Sequence, residues 1–319
     1  MLTTRIFKMR RPAAVPTSRL PALRETAAAL LRVLSAGDAS PHDIARIVVL
    51  DPVLVFELLL TSPIDSGDQS SLLDLVADRL ARIDTGLLQA WSLRHLIQQP
   101  QRNISTRAHR HHALHSLFVA ELAANLAREM DYPQPNDAYV AGLMHDLGLL
   151  WLTEYRSDYP KVLADSIDER GLSAAEWERY GFDHAELSSD LATRCGFAPG
   201  IADAIALHQA DAGSLVTAHP LVRIAAAAEE LAAYRGSQAP LNLENARRLT
   251  QLDGSILVSL LADTTRTVQE RAGMLGIPVE TAMLSRPWAT TGDSSADSDT
   301  IDSGIARAAL RAFAQSSFG

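Results

Sequence analysis

Cysteine is almost missing from this sequence. Cys195 is the sole one among 319 residues, so no internal disulfide is available and no thiolate metal cluster can assemble within one chain. A lone small thiol is expected in the core. Aromatic residues are scarce too, at 5%, and alanine and leucine outweigh valine and isoleucine, which turns the composition toward helix and away from sheet. No apolar stretch approaches the ~20 residues that a membrane helix needs. The basic run Arg5 to Arg11 is followed by Pro12, Pro16 and Pro21 instead of the apolar segment of a signal peptide. The expectation is a cytoplasmic protein without a membrane span. A net charge of −9 removes the general electrostatic case for nucleic acid, whose phosphates are held by clustered Lys and Arg. Arg5 to Arg11 reads as a solvated terminus.

What is present is apolar mass at helical spacing. With 47% hydrophobic residues, the chain is too apolar for disorder and long enough to bury one large core or two modest ones. A helix is expected over 20–34, broken at Gly37-Asp38. Ser40 suits the N-cap of the next and Pro41 its first position, with His42-Asp43 as a capping feature in the first turn. Ile44, Ile47 and Val48 share a face, and the helix ends before Asp51-Pro52 because the residue preceding proline avoids helical geometry. Another helix begins with Val53. Residues 62–70 read as a loop, 72–97 as helix, and 100–105 as a seam between two helical subdomains. Helices then fall at about 109–130, 137–155, 158–170, 173–179, 184–195, 199–208 and 219–234; His219-Pro220 opens the last. Residues 237–276 continue as helices, 290–304 form an acidic linker, and 305–318 an amphipathic helix. The expected organisation is a flexible terminus (1–19), an N-terminal helical subdomain (20–100), a helical bundle (105–235), a helical extension (236–288), and a linker with a short terminal helix (289–319).

The chemistry concentrates in a few phrases. His111, His112 and His115 open a long helix, and His111 and His115, four apart, share one face. Ala141-Gly142-Leu143-Met144-His145-Asp146-Leu147-Gly148 lies in an apolar helix, where adjacent residues differ in direction by about 100°. A buried Asp without partners would be costly, so it implies a metal or a hydrogen-bonded cluster. Downstream stand Gly181-Phe182-Asp183-His184-Ala185-Glu186, Ala206-Leu207-His208-Gln209 and Ala227-Ala228-Glu229-Glu230. Histidines and late carboxylates spread over several helices form a nitrogen and oxygen donor set suited to a first-row metal. Ser116 and Ser188, though near histidines, lack the strand-turn-helix elbow of a hydrolase nucleophile and read as helix-surface residues.

In order and wording these phrases resemble the HD superfamily of metal-dependent phosphohydrolases. Among its branches the sequence is most similar to the HDOD signalling proteins, a resemblance covering roughly residues 20–235. The upstream half agrees, with Leu20-Pro21 and Asp51-Pro52-Val53-Leu54 similar to the N-terminal HDOD signature. The resemblance implies an all-α fold: an HD-like helical bundle with an N-terminal helical HDOD subdomain. It also implies a metal set in which His115, His145, Asp146 and Glu229 surround one ion and Asp146 bridges to a second held by His184 and His208. The ion would be Mn, Fe, Mg or Zn, or the ancestral site is empty. Departures accompany the likeness. Leu149 replaces the Lys of cyclic di-GMP hydrolases, 209–220 lacks their Gly-Tyr-Pro motif, Gln209 stands where a second histidine is common, Glu229 replaces an Asp, and Thr61-Ser62-Pro63 replaces an Asn-Ser pair. Two functions follow from the resemblance. One is a non-catalytic regulatory module that binds a signalling protein partner or a second copy of itself as a homodimer. The other is a metal-dependent phosphohydrolase, for which only Arg110 and Arg223 stand near the ligand motifs to hold a phosphate. A third reading packs the histidines structurally, with no ion.

Overall fold

The structure, a computed structural model, describes residues 20–63, 70–97, 106–166, 169–233 and 243–277. The termini 1–19 and 278–319, with the expected linker and terminal helix, and the seam at 100–105 lie outside the described residues. Among the described residues every regular element is a helix and none is a strand. The N-terminal part holds α1 (Arg24–Ala36), α2 (Pro41–Val48), α3 (Pro52–Thr61), α4 (Leu72–Leu80) and α5 (Thr85–Ile97). The bundle holds α6 (Thr106–Glu129), α7 (Pro135–Met144), α8 (Leu147–Tyr155), α9 (Tyr159–Asp165), α10 (Glu169–Tyr180), α11 (His184–Arg194), α12 (Pro199–Ala206), α13 (Ala212–Leu215) and α14 (Pro220–Ala233). The last two are α15 (Glu244–Thr250) and α16 (Gly254–Met274). No helix among the described residues is long and apolar enough to cross a membrane.

Local chemistry sets several boundaries where the sequence placed them. Ser40 caps α2 in a capping box, its hydroxyl accepting from the Asp43 N–H while the Asp43 carboxylate accepts from the Ser40 N–H. Pro52 and Pro220 open α3 and α14. Other boundaries differ. The first helix begins at Arg24 instead of residue 20, and the expected helix 72–97 is two, α4 and α5, parted by a turn at 81–84. The short α13 has no periodic signature long enough to be read. The largest departure is at 137–155, where the expected continuous helix breaks at His145-Asp146.

The long helix α6 is the axis of the bundle and packs on α7, α14 and α16. Its close approach to α7 depends on Gly142, where an added Cβ would lie 2.7 Å from backbone atoms of Ala120 and Val119. The core is continuous from Leu20 to Ile277, crossing from the N-terminal helices into the bundle without interruption. Phe56, Phe118, Leu54 and Leu122 are wholly buried, each worth about 1.5–3 kcal/mol relative to exposure. Cys195 is buried there too, as its chemistry suggested.

Asp51 ties the N-terminal part together. Its carboxylate accepts from Leu23 N–H at 2.7 Å, ahead of α1, and from Val53 and Leu54 N–H at 2.9 and 3.4 Å, capping α3. Burial pushes its carboxyl up to about 6 from the ordinary 3.8, against the pull of those three donors. The folded chain thus holds this proton more tightly than the unfolded one. The resulting stability is complete below pH 3.8 and is lost as pH rises through the folded value, a change on the order of 3 kcal/mol. Asp51→Asn keeps an oxygen acceptor and has no proton to lose. Measured by urea denaturation, the native chain should lose about 3 kcal/mol relative to this variant between about pH 4 and 7; parallel pH profiles would refute the assignment.

Candidate metal centre

The break between α7 and α8 is what builds the site. His145 is the C-cap residue of α7 and Asp146 the N-cap residue of α8, at φ −107° and ψ 12°, so the two side chains are released from the divergence that a continuous helix would impose. The backbone carbonyl of Asp146 accepts from His112 Nε2 at 2.9 Å and from Leu149 N–H at 3.0 Å. His115 comes from α6, His184 from the first turn of α11, His208 from the turn after α12, and Glu229 from α14. All six side chains named from the sequence converge, each exposed by no more than 2%.

Asp146 stands in the middle. One carboxylate oxygen, Oδ2, lies 3.2 Å from His145 Nε2 and 3.9 Å from His115 Nε2; the other, Oδ1, lies 3.7 Å from His184 Nε2 and 3.6 Å from His208 Nε2. Glu229 Oε2 closes the first side at 3.3 Å from His115 and 3.4 Å from His145. Donors bound at ~2.0–2.2 Å to one tetrahedral ion are themselves roughly 3.3–3.5 Å apart, which is the spacing of Glu229 Oε2 from His115 and His145 Nε2.

The ring tautomers, assigned from hydrogen-bond geometry, fit the same interpretation. His145 Nδ1 donates to Gly142 O at 2.7 Å, His208 Nδ1 to Ile205 O at 2.7 Å, and His184 Nδ1 to Glu176 Oε2 at 2.7 Å. Each outer nitrogen is anchored, and each Nε2 is turned inward, as metal-ligating histidines are held by their outer partners. Asp146 Oδ1 and His208 Nε2 are buried and find no hydrogen bond within the protein. The donor set therefore fits a divalent first-row cation.

Electrostatics in the cluster are strongly coupled. Burial works against every charge here. The carboxylates of Asp146 and Glu229 nonetheless hold His145 protonated well above its usual range, while His145 with His208 and His184 keeps Asp146 well below the carboxylate range. His115 and His145 do the same for Glu229. Against the cost of burial, Glu176 and Asp146 raise His184 to about 9, whereas burial lowers His208 and takes His112 down to about 4. A bound cation would take over the neutralising role of these protons.

Three supports were not assigned from the sequence. Glu176 on α10 accepts from both His184 Nδ1 and His184 N–H and, through its other oxygen, from the Tyr159 hydroxyl. It lies four residues after the buried Leu172, a charge on an apolar stripe, and that placement was its only signal. Gln209 lies 2.8 Å from His184 Nε2 through its side-chain amide. Ser188, expected on a helix surface, is wholly buried: its hydroxyl accepts from Gly148 N–H and donates to His184 O, both at 2.8 Å. The expectation failed because Gly148 lets α8 come so close to α11 that an added Cβ would sit 2.2 Å from His184 O. Ser116 is wholly buried as well, on the crowded axial helix.

The arrangement is a buried cluster of histidines and carboxylates in an all-helical bundle. Residues 85–211 match the sequence model of the HDOD domain, and the chain carries an HDOD domain. That match begins at α5 and stops short of α14, so the place of Glu229 in the cluster rests on geometry alone. A crystal structure of MmoQ, a response regulator from Methylococcus capsulatus str. Bath, is similar at 26% identity and TM-score 0.61, over 76% of this chain and 98% of that one. A virulence factor from Campylobacter jejuni subsp. jejuni shares the fold at 15% identity and TM-score 0.54, over 80% of this chain and 98% of the other. No curated protein matches the chain.

Glu176→Ala would strand the Nδ1 and backbone donors of His184 and the Tyr159 hydroxyl. The expected cost is about 3–5 kcal/mol by urea denaturation, with Glu176→Gln markedly milder because an amide oxygen still accepts. Equal losses in the two variants would contradict this account.

Proposed function

We propose that the protein is a non-catalytic signal-transduction module, in which the HD-type cluster is a structural centre and the helical surface meets a signalling partner. The observation that carries this reading is the sealing of the ligand set: all six side chains lie at or below 2% exposure, and a phosphoester must reach the ion to be polarised by it. The two cations nearest the motifs support it, because both are committed elsewhere. Arg110 is paired to Glu25 at 2.5 Å and Arg223 donates to Leu249 O at 2.7 Å. Likeness to a response regulator at 26% identity agrees with a role in signalling. His115, His145, Asp146 and Glu229 would hold the cation, which when bound supplies fixed positive charge to the buried carboxylates.

The phosphohydrolase reading has one observation in its favour, the chemically intact donor set. The same donors serve a structural ion equally well. For a partner, the groove between α1, α2 and α4 on one side and α6, α7 and α16 on the other offers about 870 Å³, with Ile47, Leu73 and Tyr139 along it and Arg32, Arg46 and Arg128 exposed at its edges. Arg32, Arg46, Arg128 and Arg271 outnumber Asp43 and Glu121 in its lining, a balance that suits an acidic protein surface.

Two outcomes test the proposal. Protein purified without chelator should carry a divalent metal that Asp146→Ala loses, yet show no turnover of phosphomonoesters, phosphodiesters or cyclic dinucleotides above buffer with added Mn²⁺ or Fe²⁺. Turnover that vanishes in Asp146→Ala would establish the hydrolase instead. Partner capture should survive Asp146→Asn and drop at least tenfold in Ile47→Asp, the reverse of what a catalytic centre predicts.

A further inference from the structure

We infer that Gln209 caps His184 and limits the centre to a single divalent cation. The inference rests on reading the cluster as a metal centre, and it concerns the second position, on the side of Asp146 Oδ1. A cation there would draw on Asp146 Oδ1, His208 and His184. The first two are buried, 3.6 Å apart, and without a hydrogen bond inside the protein.

His184 is different. Its ring is fixed from behind by Glu176, which receives the Nδ1 proton at 2.7 Å and the backbone N–H at 2.9 Å. Nε2 is therefore the one atom His184 can offer to an ion. The Gln209 side-chain amide is already against it at 2.8 Å. If the imidazole is neutral, the amide N–H donates to the Nε2 lone pair; if it is an imidazolium, the amide rotated by half a turn accepts the Nε2 proton. Either orientation satisfies Nε2 without a metal. Ligation by His184 would require the amide to leave and find other partners in a half-buried turn. With His184 occupied, the second position keeps His208 and one oxygen of Asp146; His145 lies near both but is the ligand the first position uses with His115 and Glu229, so fewer than the three protein ligands of an open zinc-type site are left for a second ion. The first position is untouched, since Glu229 Oε2 meets His115 and His145 Nε2 there at 3.3 and 3.4 Å. An imidazole at 209 would offer a lone pair where the amide offers a proton, so this residue sets the nuclearity of the centre. Phosphoester hydrolysis of the two-metal kind needs both attacking and leaving oxygens clamped, and a single ion cannot supply that clamp.

The experiment compares the full chain with Gln209→Ala, which removes the cap, and Gln209→Glu, which replaces the amide with a carboxylate of the same length. Each is stripped with chelator, reloaded with Mn²⁺, and assayed for metal per chain by elemental analysis and for electron paramagnetic resonance. Circular dichroism confirms that each is folded. The native chain should take up one equivalent and show the resolved hyperfine lines of isolated Mn²⁺. At least one variant should take up a second equivalent, with the lines lost to coupling between neighbouring ions. Two equivalents in the native chain would overturn this inference and leave the metal reading standing, as would one equivalent in both folded variants. No metal in the native chain would overturn the metal reading and this inference with it.

Discussion

The structure turns on one buried carboxylate. Asp146 is 1% exposed, in an interior where an uncompensated charge costs several kcal/mol, and everything around it serves to make that charge tolerable. Its oxygens face opposite ways, each toward two imidazole nitrogens. The imidazoles are in turn held from behind by Gly142 O, Ile205 O and Glu176. A ring that can neither swing nor change tautomer presents the same atom permanently, and this is the condition for either a metal centre or a self-neutralising proton network. The helices are arranged to bring these rings inward, with glycine at the two crossings that would otherwise stand too far apart.

The two halves of the cluster differ in character. On one side His115 and His145 stand 3.3 and 3.4 Å from Glu229 Oε2, with Asp146 Oδ2 3.2 Å from His145. On the other, polar groups run outward through His184 to Glu176 and Tyr159, and sideways to Gln209, so that hydrogen bonds take up much of the ligating capacity. Exposed by no more than 2%, the cluster joins residues of α6, α11 and α14 with the turns that follow α7 and α12.

Much of this was readable from the chain. The all-helical fold followed from composition and spacing, and Ser40, Pro41, Asp51 and Pro220 fixed boundaries through capping chemistry that acts within a few residues. The six converging side chains followed from a resemblance whose wording is spread over more than a hundred residues. What escaped was set by distance in space instead of along the chain. The break at His145-Asp146 has no proline to announce it, and its partner lies far along the chain: the Asp146 carbonyl there meets His112 Nε2 at 2.9 Å. Ser188 looked like a surface residue because Gly148, forty positions earlier, is what brings a second helix against it. Glu176 gave only a faint signal, a charge on an apolar stripe, because its partners lie on other helices.

The unbroken apolar interior has a consequence for how the molecule can be divided. The segment that carries the family's sequence signature, 85–211, begins at α5 and ends before α14. Cutting there would strip away Glu229 and the α1 helix that lies against α5, and would leave His95 without Glu57, the residue that receives its ring proton. It would also lay bare leucines and valines on both cut faces. The stretch recognised by its wording is therefore shorter than the body that shares one apolar core, and the two have different ends in this chain.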